Sequence, residues 1–221
     1  MTTTDCNPMG RACRLLAASA MLAALGACSV LNPPATPAPA FYSLDHNQQT
    51  VAPVAPAAAS GPTLMVGPTR AAAGFDSQRI IYLREPYKLE YFANSEWVDP
   101  PARMLSPLLV AAIESSGAFR AVVLTTGAAS GDLRLDTEII RLQHDFQVQP
   151  SRVRFTLRAT LVDDRTRRVV AARELDRSVE STAENPYGGV VAANRAVSAV
   201  LVDLARFCAE TVRAMPPTVA R

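Results

Sequence analysis

Few side chains in this sequence could do chemistry: the 221 residues include four cysteines and two histidines. His46 and His144 are far apart, and no H-E-x-x-H, G-x-S-x-G or glycine-rich phosphate loop accompanies them. The acidic pair Asp163-Asp164 lies in a predicted turn, where carboxylates serve turn geometry. Cys208 could be a catalytic or metal-binding thiol, but no histidine lies near it in sequence, so we favour a small buried hydrophobe. The sequence therefore predicts no catalytic site, no metal and no cofactor, and hence a protein that is not an enzyme.

One cysteine, Cys28, does lie in a context that predicts a modification. Arg11 and Arg14 precede an apolar stretch, residues 15–25, that has about half the length a membrane-spanning helix needs. A basic start followed by a short apolar run is typical of a secretory signal peptide. The run ends in Leu25-Gly26-Ala27-Cys28, which resembles the lipobox where bacterial signal peptidase II cuts before a lipid-modified cysteine. We predict that residues 1–27 are a signal peptide and that Cys28 is the lipid attachment site; a plain anchor helix is disfavoured by the length.

Removal of residues 1–27 also simplifies the other cysteines. Cys6 and Cys13 would leave with the signal, so Cys208 would have no partner for an internal disulfide. Residues 1–8 are a poor signal start, and translation from Met9 instead of Met1 would give the same mature chain. The choice between Met1 and Met9 stays open at this point.

Composition divides the rest of the chain into a linker and one domain. Residues 28–61 are rich in proline and alanine, which predicts an extended tether, interrupted by a short strand near 41–44. That segment is either an edge strand that docks on the domain, which we favour, or an exposed anchor. Residues 62–215 are long enough for one domain with a substantial core, and 216–221 form a tail. The net charge of +2 argues against nucleic acid as a partner.

The apolar patterning of the domain predicts an α+β fold. Two helices are expected, the first entered through an Asp99 N-cap and the second running from Tyr187 to Ala214. Strict alternation over three long segments predicts an antiparallel sheet with one wet face. The full prediction is an antiparallel sheet of about five to seven strands with two main helices packed on one face; the expected strands lie at 64–66, 79–83, 89–92, 121–124, 133–139, 153–161 and 169–175.

The wet face of that sheet carries alternating arginines and carboxylates. These charges could mark a site for lipid phosphate. The simpler interpretation, which we favour, is a solvated face with cross-strand ion pairs.

An ordered set of short motifs behind the lipobox resembles the ABC-type transport auxiliary lipoproteins, a family of PqiC-like proteins. The most distinctive segment spans residues 89–101, with an aromatic pair, Trp97 and two prolines, followed by Met104-Leu105. The others, in chain order, are Tyr42-Ser43-Leu44, Arg79-Ile80-Ile81-Tyr82, Leu161-Val162-Asp163 and Ala193-Asn194-Arg195-Ala196. The resemblance covers essentially all of the chain after Cys28.

This resemblance implies a non-catalytic lipoprotein that serves an MCE-type lipid transport system. Its expected partners are an MCE-domain protein and, through it, an ABC permease and ATPase; a homo-oligomer is also possible. Tyr91, Phe92 and Trp97 become candidates for partner contacts, although packing is the commoner role for such residues. Ser29, after the lipidated cysteine, favours sorting to the outer membrane, with the domain facing the periplasm.

Two other functional classes remain open on the sequence. One is an envelope-assembly lipoprotein, either a peptidoglycan-synthase activator or an outer-membrane assembly factor, because these also carry small α+β domains on proline-rich tethers. The other is a lipid-anchored hydrolase, which the missing catalytic residues disfavour.

Overall fold

The computed structural model describes residues 38–45, 58–125 and 130–215. Within them, nine strands and two helices follow one another along the chain. The strands are β1 (Ala40–Tyr42), β2 (Thr63–Val66), β3 (Arg70–Ala71), β4 (Arg79–Leu83), β5 (Glu90–Trp97), β6 (Ala121–Leu124), β7 (Leu133–Asp145), β8 (Arg152–Asp163) and β9 (Val169–Glu180); the helices are α1 (Pro101–Glu114) and α2 (Pro186–Ala214). The α+β class is confirmed.

Strands β7, β8 and β9 form the antiparallel meander that alternation predicts. Leu135 pairs with Leu161 across β7 and β8, and Leu157 pairs with Leu175 across β8 and β9. Every second side chain of β7 points into the core up to a bulge after Ile139, as period-two patterning requires. The predicted hairpin of β4 and β5 is also present, and its strands are antiparallel.

The sheet as a whole is mixed, so the prediction of an antiparallel sheet of five to seven strands is wrong. One edge of β7 pairs along its length with β8, and the other is shared in turn by β2, β3 and β4, all parallel to β7. Two further parallel pairs, β2 with β6 and β1 with β5, complete the nine strands. The sequences of these short strands show no alternation of apolar and polar residues. Parallel strands are also joined by long crossover connections, so their pairing cannot be read from local sequence patterns.

Helix α1 begins differently from the prediction. Its N-cap is Pro100, which makes no side-chain cap hydrogen bond, and Pro101 is the first helical residue. Asp99, the predicted N-cap, instead forms an exposed ion pair with Arg103 at 3.4 Å. The prediction of proline at the first helical position is confirmed. Proline is tolerated there because the N–H that it lacks would have no partner within the helix. Gly117, with φ +63°, ends the turn that follows the helix.

Helix α2 provides the largest part of the helical core. Asn185 caps it by accepting a hydrogen bond from the Gly188 N–H at 2.8 Å. Val197, Leu204 and Cys208 lie on its buried stripe, which packs on β8 and β9. Helix α1 contacts α2, β2 and β6, and both helices contribute to one hydrophobic core.

By length and composition α2 could also span a bilayer. However, 67% of its apolar stretch is buried within the domain. Such burial is typical of a core helix, whose apolar face packs against the rest of the domain.

The predicted short strand near 41–44 lies at Ala40–Tyr42 and pairs in parallel with β5. It therefore docks at the edge of the sheet, as expected. The compact unit that contains the sheet begins at Pro39. Only eleven residue steps along the chain separate Pro39 from Cys28.

Candidate functional site

A groove of about 400 Å³ lies between the β1 segment and the N-terminal half of α2. Phe41 and Tyr187 stand on its two sides and are 58% and 63% exposed. The ring of Tyr42 lies 6.4 Å from the ring of Tyr187, measured between centroids. Arg195 brings a cation to the same groove and forms no ion pair with an acidic side chain that the structure describes. The groove thus combines exposed aromatic rings with a charged rim.

Asn194 holds the two sides of this groove together. Its Nδ2 donates to the backbone oxygens of Ser43, at 3.2 Å, and of Val190, at 3.0 Å. Its Oδ1 accepts from the N–H of Asp45 at 2.8 Å. Between these contacts Leu44 is buried in the core. One amide side chain on α2 therefore satisfies backbone groups of an extended segment, which a pure apolar contact could not do.

This arrangement explains two of the sequence motifs. Tyr42-Ser43-Leu44 and Ala193-Asn194-Arg195-Ala196 lie about 150 residues apart in the chain and meet at the groove. Sequence reasoning identified both motifs but did not place them together. The available signal was the asparagine itself, because a polar amide in an otherwise apolar helix usually has a specific partner.

The three aromatic residues predicted as partner or packing contacts have different environments. Trp97 is buried, at 3% exposure, in the core. Phe92 is half-buried, with its ring centroid 4.5 Å from that of Tyr82. Tyr91 is 53% exposed, and the guanidinium carbon of Arg79 lies 3.9 Å from its ring centroid. The structure therefore does not bring the three into one surface. Tyr91 and Phe92 are neighbours in β5 and point to opposite faces, and a register shift between β4 and β5 separates both from Trp97.

His144 is a buried ionisable group that packs against Gly189 at the start of α2. Its Nε2 lies 2.8 Å from the Ser151 Oγ, whereas its Nδ1 is buried without a hydrogen-bond partner. Burial lowers the pKa of His144, and the negative charges of Glu184 and Asp145 only partly oppose that effect. The adjoining cavity has a volume of about 10 Å³ and is bordered by Gly189. A space of that size holds at most one water molecule, so this is a packing site for a neutral imidazole.

Of the other groups that could do chemistry, the structure describes Cys208 but neither Cys28 nor His46. Burial raises the pKa of the Cys208 thiol to about 12, which confirms its interpretation as a small hydrophobe. No cluster of three or more histidine, cysteine or acidic side chains suited to a metal ion occurs among residues 38–45, 58–125 and 130–215. Cys28 and His46 lie outside the described residues, and the lipid attachment at Cys28 stays a prediction.

The charged face of the meander consists of cross-strand ion pairs. Arg158 lies 3.2 Å from Glu138 on β7 and 3.3 Å from Glu174 on β9. Arg154 pairs with Asp176 at 2.9 Å. Burial alone would raise the pKa of Asp176, but hydrogen bonds from Arg154 and Thr156 outweigh it and lower that pKa. The simpler interpretation of this face is confirmed.

Comparison with solved structures supports the fold. The crystal structure of protein XCC0632 from Xanthomonas campestris, of the DUF330 family, aligns with a TM-score of 0.68 and 25% identity over 78% of this chain and 96% of that chain. The hypothetical protein CT253 from Chlamydia trachomatis aligns with a TM-score of 0.52 and 12% identity over 70% and 99%. No curated protein matches this sequence.

The family comparison agrees with the motifs that meet at the groove. Residues 42–205 match the family described as the ABC-type transport auxiliary lipoprotein component. The matched range begins at Tyr42, the last residue of β1, and ends within α2, so it includes strands β2 to β9 and every residue that lines the groove except Phe41. The chain belongs to the family of ABC-type transport auxiliary lipoprotein components.

Proposed function

We propose that this protein is a lipid-anchored, non-catalytic auxiliary component of an MCE/ABC-type intermembrane lipid transport system. It is anchored through Cys28 at the outer membrane, faces the periplasm and binds an MCE-domain protein, and through it the permease and ATPase. The observation that carries the proposal is the family match over residues 42–205 behind a lipobox. Ser29 favours the outer membrane over the inner one.

The length of the anchor segment limits where such binding takes place. Eleven residue steps separate Cys28 from Pro39, where the compact unit begins. At ~3.1 Å per residue for a proline-rich chain, they span about 34 Å. The domain itself is about 40 Å across for its length. The domain therefore stays within roughly one domain diameter of its membrane, and a partner from the opposite membrane must cross most of the gap.

Crosslinking in cells tests the partner. A photoreactive residue at Tyr187, in the groove, should give an adduct with an MCE-domain protein, identified by mass spectrometry. The same residue at Val169, which is exposed at the start of β9, is the position control and should give little or no adduct. Recovery of a peptidoglycan synthase in place of an MCE protein would favour the envelope-assembly alternative.

A cysteine variant tests the anchor. Cys28→Ser should accumulate as an unprocessed precursor and weaken the membrane barrier, because no acyl group can be attached. Cys13→Ser, which lies in the predicted signal peptide, is the matched control and should be processed normally. A mature protein that begins elsewhere than at a lipid-modified Cys28 would contradict the proposal.

A further inference from the structure

The turn of the β4–β5 hairpin carries a tyrosine at a position where glycine fits better. The Lys88 N–H donates to the Glu85 carbonyl oxygen at 3.4 Å, which closes a turn with Pro86 and Tyr87 as its central residues. Proline at the first central position and φ +67° for Tyr87 at the second are typical of a type II turn. Glycine is the usual second residue, because a bulky side chain is strained at positive φ. What Tyr87 adds to this turn is therefore its side chain.

That side chain belongs to a small apolar surface at one end of the sheet. Tyr87 is fully exposed, and Leu89 beside it is 48% exposed. Val148, 45% exposed, lies in the β7–β8 loop. This loop adjoins the hairpin, because the Phe146 N–H donates to the Leu83 carbonyl oxygen at 2.8 Å. We call Tyr87, Leu89 and Val148 the apex.

Three aromatic rings form a firm base for the apex. The ring centroid of Tyr82 lies 4.5 Å from that of Phe92 and 5.8 Å from that of Phe146. The centroids of Phe92 and Phe146 are 6.5 Å apart. Because these residues come from β4, β5 and the start of the β7–β8 loop, their packing holds the two loops of the apex together.

The charged side chains of the hairpin pair with one another. Arg84 donates to both carboxylate oxygens of Glu90, at 2.9 Å each. The Lys88 Nζ lies 3.4 Å from Glu85 and 3.8 Å from Glu90. These two cations and two carboxylates leave residues 84–90 without net charge. An anionic ligand or membrane surface would select for several unpaired basic residues, so recognition here depends on the apolar side chains.

The direction of β1 relates the apex to the end of the chain that carries Cys28. Strand β1 is parallel to β5, with Ala40 opposite Ser95, and β5 begins five residues earlier at Glu90, a distance of ~17 Å. Strand β1 therefore runs away from the apex, and Cys28 is joined to the end of β1 that faces the apex. The eleven residue steps from Cys28 to Pro39 reach at most ~40 Å, which is more than twice that distance.

We infer that the apex, through Tyr87, inserts into the interface of the phospholipid membrane that carries the Cys28 anchor. This inference rests on the lipid at Cys28 that the proposed function requires. A tyrosine side chain favours the boundary between headgroups and acyl chains, where both its apolar ring and its hydroxyl are satisfied. A projecting apex also enters a deformable lipid surface, whereas a protein partner would have to supply a matching pocket.

The apex sets the orientation of the domain and leaves the groove accessible. The acyl groups supply most of the membrane affinity, because one ring and two aliphatic side chains bury too little area to bind alone. Phe41 in the groove lies opposite Glu96, six residues along β5 from Glu90, a distance of ~20 Å. Membrane contact at the apex and partner binding in the groove therefore use different surfaces.

Quenching of tryptophan fluorescence by lipid tests the insertion. The lipidated mature protein, extracted from membranes and carrying Tyr87→Trp, is reconstituted in phosphatidylethanolamine/phosphatidylglycerol vesicles with brominated acyl chains. We expect the introduced indole to be quenched several-fold more than that of Val169→Trp. Val169 pairs with Val162, ten residues along β8 from Arg152 at the apex end, a distance of ~33 Å. Trp97, the one native tryptophan, is buried and adds the same background to both proteins.

Removal of the Tyr87 ring supplies the matched comparison. Tyr87→Gly relieves the positive φ, so the domain should stay folded. With Val148→Trp as the reporter, Tyr87→Gly should reduce the quenching several-fold, to the level at position 169. Val169→Ser, which removes an exposed apolar side chain at the far end of the sheet, should leave the quenching at position 148 unchanged.

Each outcome decides between the insertion and the anchor. Protein that floats with the vesicles but is quenched equally at positions 87 and 169 overturns the insertion and leaves the anchor intact. Protein that does not float overturns the anchor, and the insertion with it. Undiminished quenching at position 148 in Tyr87→Gly overturns the role of Tyr87. An indole at position 87 that is shielded from aqueous iodide but not quenched by brominated lipid also overturns the insertion, because a second copy or a protein partner then covers the apex.

Discussion

Gly189 in the second turn of α2 should resist a substitution that stabilises most helices. An added Cβ would lie 2.5 Å from His144 Nδ1 and 3.1 Å from its Cε1, and contacts below 3.0 Å force a shift. The imidazole has little freedom to move. It is 2% exposed, its Nε2 bonds to Ser151, and its ring centroid lies 4.0 Å from that of Phe146. The close approach of helix and ring therefore requires glycine.

The size of the effect follows from two opposing contributions. Alanine gains about 1 kcal/mol over glycine from helix propensity. Overpacking costs about 1–3 kcal/mol, and displacement of the ring forfeits about 1 kcal/mol of hydrogen bonding to Ser151. We expect Gly189→Ala to lower the free energy of unfolding by about 2 kcal/mol, or the Tm by about 4–8 °C for a chain of this length. Chemical denaturation of the mature chain measures it.

A double-mutant cycle separates the clash from any other effect. In a His144→Ala background the ring is absent, so Gly189→Ala should now stabilise by about 1 kcal/mol, which gives a coupling of about 3 kcal/mol. If Gly189→Ala stabilises the protein while His144 is present, the imidazole is not held against α2 and the reasoning fails.

Three further predictions concern ionisable and polar groups. The pKa of His144 is lower in the folded state than in the unfolded chain. Its contribution to the free energy of unfolding is therefore complete above about pH 6.5, and below that pH the contribution falls by at most about 1.4 kcal/mol per pH unit. His144→Gln should flatten this dependence in melts recorded at several pH values. The Cys208 thiol should not react with a thiol reagent at pH 8 until denaturant unfolds the chain, and prompt reaction would mean that the thiol is accessible. Asn194→Ala should speed hydrogen exchange at the Asp45 amide, because that N–H loses its acceptor, without changing exchange in β8. Equal exchange at Asp45 in the wild-type protein and the variant would contradict the role of Asn194 in holding this segment.

The sequence was most informative where local patterns determine structure. The alternation in β7 and β8 identifies those strands, and an apolar stripe in which Val190, Val197 and Leu204 recur every seven residues identifies α2, because each of these elements buries one face. The parallel pairing of β2, β3 and β4 with β7 depends on contacts over long chain separations, and strands of two to five residues carry no distinctive pattern. The same limit applies to the groove, whose motifs are recognisable singly but meet only through the tertiary fold.

The shared edge of β7 has a consequence for the order of folding. The β7–β8–β9 meander can form from neighbouring segments, but β2, β3 and β4 find their common partner only after Leu133–Asp145 has been synthesised. Contacts of such long chain separation slow folding, because loop-closure entropy must be overcome before they form. Until then the apolar β2 strand, Thr63–Val66, lacks a complete neighbour on its β7 side. An emerging chain therefore depends on protection of its N-terminal strands until the central strand arrives.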